Sequence, residues 1–381
     1  MGSKARARLG GALAISLSLA AAAVTPAGAG SAPRAKLLSG TALQGGPTTF
    51  RDRVVARRGA RRLAADPARW GGTVTARTGE AVTVYASPSY PVDPAVTQQA
   101  ADFVASLFHG PELQTASFYL APPAEIERLC GGGDAGCFMA SQRLLAVPGS
   151  DLPNGTSAET VIAHEYGHFV AANRSNAPWA ALAWGPKRWA SGENVCARVR
   201  AGTAFPGDED AEYGRNPGEA WAETYRELNY QHLALPGWAS APWIVDDSFA
   251  PNAAALDAAR RDVLDPWQSP TALTWTGTLE RPAPFRPPLR AKKRSRKHVR
   301  TLAAAAAQAT RTLTTPRDGV LAVSLDRAPA GATIALTDAS GRLLDADANG
   351  VLRYTLCGQR SVTLTVTAPL PGSLSATISL P

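Results

Sequence analysis

The spacing of apolar residues changes period several times along this 381-residue chain, and each change marks an element. Gly72–Ser87, GTVTARTGEAVTVYAS, alternates β-branched and polar residues on either side of a Thr-Gly turn, which predicts a hairpin. In Asp93–Phe108 the period lengthens. Val96, Ala100, Phe103, Val104 and Leu107 recur at helical spacing behind an Asp cap and a first-turn Pro. SFYLAP is a short strand, AEIERL a short helix, and RLLAVPG (Arg143–Gly149) a further strand ending at a turn. A helix follows with a T-x-x-E capping box at Thr156 and Glu159 and an apolar face of Ala163, Phe169 and Val170. A stretch rich in Trp, Gly and Pro runs to about Gly207. NPGEAWAETYRELN then signals a second helix, with Asn216 as cap and Pro217 in its first turn.

From Thr271 the texture is all β. Short alternating segments such as GVLAVSLD, ATIALTDAS, GVLRYTLCG and SVTLTVTA are punctuated by Gly, Pro and Asp, as in an antiparallel sandwich. The expected organisation is an α+β domain over residues 69–270 and an all-β antiparallel sandwich over 271–381. A basic, disordered insertion at 281–308 would separate the first two strands of the sandwich. Alternatively that insertion links two domains, and the sandwich starts near Arg311.

The N-terminus reads differently. Lys4, Arg6 and Arg8 precede an apolar run, Leu9–Val24, and then Pro26 and Ala27-Gly28-Ala29, the layout of a cleaved secretory leader over residues 1–29. The run is shorter than the roughly 20 residues of a spanning helix, so no membrane span is expected after cleavage. Residues 30–68, rich in Ala, Arg and Gly without periodicity, read as a flexible pro-region or N-terminal extension. A secreted, extracellular chain with four cysteines suits disulfides. Cys130 and Cys137 bracket a loose GGGDAG loop, leaving Cys196 and Cys357 as a long-range pair.

Charge adds little. The formal net charge is +8, but three basic residues lie in the leader and eight in RPPLRAKKRSRKHVR (Arg286–Arg300). The remaining 28 basic residues face 31 acidic ones. A single solvated tract with no interleaved aromatics does not describe a nucleic-acid surface. It suits at most an anionic cell-surface polymer.

The candidate chemistry lies in ETVIAHEYGHFVAANR, Glu159–Arg174. Residues i and i+4 share a helix face, so His164 and His168 can present two imidazoles to one Zn2+. Glu165 points away from that pair and can reach a water on the metal as general base. Gly167 leaves little bulk beside the ion. A third histidine is absent from the H-x-x-x-H-x-x-G-x-x-H position, where Arg174 stands. Glu219, in the first turn of the second helix, is the best third ligand, and Glu223, one turn on, can orient a ligand histidine. His232 and His109 read as helix-end residues.

HEYGH followed about 50 residues later by NPGEAWAETYR resembles the gluzincins, zincin metallopeptidases whose third ligand is a downstream glutamate. The resemblance covers roughly residues 72–235. It implies a zincin-like catalytic domain acting on a peptide or protein substrate, with His164, His168 and Glu219 as ligands and Glu165 as base. It also implies that RLLAV is an edge strand open to an extended peptide. GDEDAEYG (Gly207–Gly214) is similar to the aspzincin signature, which would make Asp210 the third ligand, although Asp208 stands where that signature has Thr. Under either resemblance Tyr213 would stabilise an oxyanion. The competing reading is a catalytically silent zincin-fold binding protein, or an adhesin acting through the sandwich.

Overall fold

The computed structural model describes residues 52–55, 69–234, 245–283 and 305–381. The leader, most of 30–68 and the basic tract 286–300 lie outside the described residues.

Strands β1 (Asp52–Val55), β2 (Trp70–Thr75) and β3 (Ala81–Ala86) precede helix α1 (Pro94–Ser106). Then come β4 (Ser117–Ala121), α2 (Pro123–Cys130), β5 (Gly136–Met139) and β6 (Leu144–Pro148). They form one six-stranded sheet in the order β1-β5-β6-β4-β3-β2. Asp93 caps α1 by accepting from the Ala95 amide at 3.0 Å, with Pro94 at the first position, as the sequence predicts.

Strand alternation sorts the side chains by face. Phe118, Leu120, Phe138, Leu145 and Val147 join the main core with the helices. Tyr119, Ala121, Cys137, Met139 and Ala146 point the other way, into a smaller core closed by α2. The Cys130–Cys137 disulfide ties α2 to β5.

Beneath the sheet lies α3 (Ala158–Ala172). Its cap is Ser157, whose Oγ accepts from the Thr160 amide at 3.2 Å, and not Thr156. Short helices α4 (Ala181–Trp184), α5 (Lys187–Gly192) and α6 (Val195–Arg200) follow, and then α7 (Pro217–Leu233) and α8 (Ala253–Leu264). The cap of α7 is Asn216, accepting from the Gly218 amide at 3.0 Å.

Helices α3 and α7 pack at unusually close range, and Gly167 is the reason. A Cβ there would stand 3.0 Å from the Ala222 Cα and 3.2 Å from the Tyr225 ring. The Trp221 indole donates to the Gly167 carbonyl at 2.8 Å, locking the crossing. Gly167 thus faces the neighbouring helix, where the sequence reading had placed it beside a metal.

The sandwich comprises β7 (Thr271–Leu279), β8 (Ala307–Thr314), β9 (Gly319–Arg327), β10 (Thr333–Asp338), β11 (Leu343–Asp347), β12 (Val351–Leu356), β13 (Ser361–Ala368) and β14 (Gly372–Leu380). The sheets β11-β10-β13-β8 and β12-β9-β14-β7 are antiparallel throughout and enclose a core of their own. Strand β7 pairs along its length with β14, so the sandwich includes Thr271. It is fastened to α6 by the Cys196–Cys357 disulfide. Buried Lys187 adds to this, donating to the Asp318 carbonyl at 2.9 Å and to the Ala177 carbonyl at 2.5 Å. Both disulfides therefore join the four cysteines in the pairs their spacing suggests.

Gly167→Ala tests the helix crossing. Overpacking costs about 1–3 kcal/mol, against a helix-propensity gain of about 1 kcal/mol for replacing Gly by Ala. Urea denaturation is expected to show a net loss of stability. A stabilised variant would mean that the helices have room to spare.

Candidate metal centre

The close crossing of α3 and α7 brings four side chains to one point. His164 and His168 project from α3 and Glu219 from the first turn of α7, while Asp52 enters from β1. All four are fully buried. His164 Nε2 and His168 Nε2 lie 3.2 Å apart. Glu219 Oε2 is 3.2 Å from the first and 3.3 Å from the second. Asp52 Oδ2 is 3.2 Å and 3.1 Å from the same two nitrogens. This group can hold a metal ion.

The dimensions fit that use. Five of the six separations among these atoms are 3.1–3.3 Å, and a tetrahedron with edges of that length has its centre about 2.0 Å from each corner, the distance at which zinc is held by imidazole nitrogen or carboxylate oxygen. The protonation pattern fits as well. The ring Nδ1–H of His164 donates to Glu223 Oε1 at 3.0 Å, so its Nε2 lone pair faces the cluster. Glu223 is held in turn by Arg226, through Nε at 3.0 Å and Nη2 at 2.7 Å. Burial works to raise the Glu223 carboxyl, and the Arg226 guanidinium and His164 override it, keeping it below its usual range.

The cluster calls for positive charge. Burial alone would lower His164, but the Asp52 carboxylate, with Glu219 and Glu223, holds its pKa well above the ordinary value. His168 is likewise depressed by burial, yet Glu219 and Asp52 drive it up to about 10. Two imidazolium N–H groups cannot point at each other across 3.2 Å without repulsion. A single cation at the centre meets the same demand and satisfies both nitrogens and both oxygens.

Glu165 is fully buried beside β5, and neither of its carboxyl oxygens has a hydrogen-bond partner among the described residues. Burial first, and then the Asp52 carboxylate, raise its pKa well above the usual range. Gly136 makes room for it: a Cβ at that position would stand 2.6 Å from Glu165 Oε1. The Tyr213 hydroxyl donates to Asp52 Oδ1. It belongs to a short 3-10 turn, Tyr213–Arg215, that leads into α7.

Of the residues expected at the site, His164, Glu165, His168, Tyr213, Glu219 and Glu223 come together. Asp210 does not: its side chain is 83% exposed and pairs with Arg53 at 3.4 Å. The loop before α7 points it outward, and Glu219 occupies the ligand corner instead. His109 lies at the end of α1, its Nε2 3.3 Å from the Ala105 carbonyl. His232 stacks on Phe108 with ring centres 4.1 Å apart.

The residue that sequence reasoning missed is Asp52, which sits inside the region read as a flexible extension. Its only signal is the Val54-Val55 pair after Arg51-Asp52-Arg53, too short to set a period. Strand β5 was missed for the same reason, being four residues long. In consequence the edge assignment changes. β6, which contains RLLAV, is interior, paired with β4 on one side and β5 on the other.

No protein-family model matches the chain, and no curated protein matches it.

Metal titration should separate the two candidate third ligands. Glu219→Ala is expected to weaken metal binding strongly, and Glu223→Gln by about 10–100-fold through loss of the orienting hydrogen bond. Asp210→Ala should leave affinity unchanged. A large loss with Asp210→Ala would move the site to the acidic loop.

Proposed function

We propose that the chain is a secreted zinc metallopeptidase of the gluzincin type, with a zincin-like catalytic domain carrying the sandwich. One observation carries this reading. Glu165, a fully buried carboxyl without a hydrogen-bond partner among the described residues, adjoins a cluster with the dimensions of a zinc site. A structural metal site has no use for such a group, and leaving it buried and unpaired is costly. The two disulfides suit an oxidising compartment. No helix among the described residues is long and apolar enough to cross a membrane.

Zn2+ held by His164, His168 and Glu219 would supply Lewis acidity toward a water and a peptide carbonyl. The protein's own residues do the rest. Glu165 accepts the proton of the attacking water as its oxygen bonds to the carbonyl carbon. The Tyr213 hydroxyl donates to the oxygen that gains negative charge. Glu165 then delivers the proton to the amine as the C–N bond breaks, leaving a carboxylate and an amine. Glu223 keeps the His164 ring and tautomer in place throughout. The substrate is a peptide or protein segment in extended form, able to pair with β5 in place of β1. Contact of residues 286–300 with an anionic cell-surface polymer would be auxiliary to this activity.

The second reading is a closed, silent metal site in a binding protein. It is favoured by Asp52, which fills the fourth corner.

Glu165→Gln and Tyr213→Phe, each in the Asp52→Ala background, distinguish them. Glu165→Gln should keep the metal and lose about 10²–10⁴-fold in peptide cleavage. Tyr213→Phe should lower kcat by about 10²–10³-fold with little change in KM. Cleavage undiminished by Glu165→Gln would remove the base from the mechanism. Absence of cleavage across a peptide library in the Asp52→Ala background would favour the silent site.

A further inference from the structure

We infer that β1 is a built-in occupant of the substrate cleft: Asp52 covers the open face of the metal position, and the four-residue strand fills the edge of β5 that an extended substrate would use. The inference rests on the metallopeptidase reading of the site.

Three features of β1 support it. The first is the seat of the Asp52 carboxylate. One oxygen lies 3.1–3.2 Å from the Nε2 atoms of both histidines, and the other accepts from the Tyr213 hydroxyl. In hydrolysis, the carbonyl oxygen and the oxygen of the attacking water would have to take these same two places. The carboxylate thus resembles the product of hydrolysis, held where the bond would be cut. The second is register. Asp52 stands opposite Gly136 and Val55 opposite Met139, in a parallel ladder along β5. A substrate strand adding to β5 would need these backbone groups, and Gly136 is the residue against which Glu165 lies.

The third is what holds the strand apart from its ladder to β5. Arg53, about one-third exposed, reaches Asp134 at 3.3 Å and Asp210 at 3.4 Å. The Val54 amide donates to Glu209 Oε2 at 3.4 Å. The contacts to Asp210 and Glu209 are long and partly exposed and contribute little, while that to Asp134 is the firmer one, its carboxylate being buried. Val54 and Val55 only border the two cores. Among the described residues of the strand, Asp52 is the buried one. Removing β1 would therefore uncover the site at the expense of the Val54 and Val55 contacts at the margins of the two cores. The acidic loop Gly207–Gly214 acquires a role here: Glu209 and Asp210 touch the strand, and Tyr213 holds its carboxylate.

Being part of the same chain gives the strand a high effective concentration at the cleft. Any ligand for the metal must displace it, so apparent affinity falls by the fraction of chains in which the cleft is open.

The test uses the full chain loaded with Zn2+, and acetohydroxamate, a small metal-seeking anion, as probe. Asp52→Ala should keep one ion per chain, because His164, His168 and Glu219 remain. It should bind acetohydroxamate about tenfold more tightly than the parent, or better. Arg53→Glu, which leaves the carboxylate in place but repels Asp134 and Asp210, should give a smaller gain in the same direction. The inference is overturned if Asp52→Ala loses the ion, since Asp52 would then be a permanent ligand. It is equally overturned if acetohydroxamate binds parent and Asp52→Ala alike. Should Asp52→Ala not fold, Arg53→Glu decides, and affinity equal to the parent's overturns the inference. Peptide cleavage separates the two proposals. An opened site that cleaves nothing sinks the peptidase and leaves the occupant. A parent that cleaves as fast as Asp52→Ala sinks the occupant and leaves the peptidase.

Discussion

Buried carboxylates converging on imidazole nitrogens need a positive charge among them, and the architecture around α3 and α7 answers that need. Asp52 and Glu219 place oxygens 3.1–3.3 Å from two ring nitrogens in a region closed to solvent. The electrostatic cost of such a cluster without a cation is high in a low-dielectric interior. The surrounding structure keeps the geometry rigid. Gly167 lets the helices approach, Trp221 locks the crossing, and Arg226 neutralises Glu223 so that it can hold His164.

That rigidity has a cost in space. With α3 and α7 so close, and the sheet above them, the remaining side of the site is closed by β1 along β5. Gly136 is there because any side chain would strike Glu165. The same bare backbone leaves room for another strand, and β1 takes it. The space for Glu165 and the covering of the cluster by β1 are therefore two consequences of one arrangement, a glycine in β5 over a buried carboxyl.

The sandwich is attached at a distance along the chain from these elements. Lys187, Ser191 and Cys196, from α5 and α6, meet Asp318, Arg360 and Cys357 of the sandwich. A disulfide and a buried ammonium bound to backbone carbonyls make this a fixed junction. The pull of burial brings Lys187 down to about 8, against the attraction of Asp318. The sandwich is thus carried as a unit with the helices that buttress α7.

What the sequence determined by itself was whatever local periodicity and capping encode. The i, i+4 spacing of His164 and His168 sets both on one face of α3 because a helix turns every 3.6 residues. Asn216 and Pro217 start α7 and so place Glu219 in its first turn, with Glu223 one turn along. The alternating segments from Thr271 onward could only be strands. Only the tertiary structure decided the rest. Asp52 lies 116 residues from His168, in a strand of four residues, and no local pattern records such a partner. Nor does any pattern show that β5, too short to declare itself, lies between β6 and β1. Which of Glu219 and Asp210 joins the cluster follows from the way a loop turns before α7. Short strands and long-range side-chain pairings carry little local signal, because their stability comes from neighbours brought together by the rest of the fold.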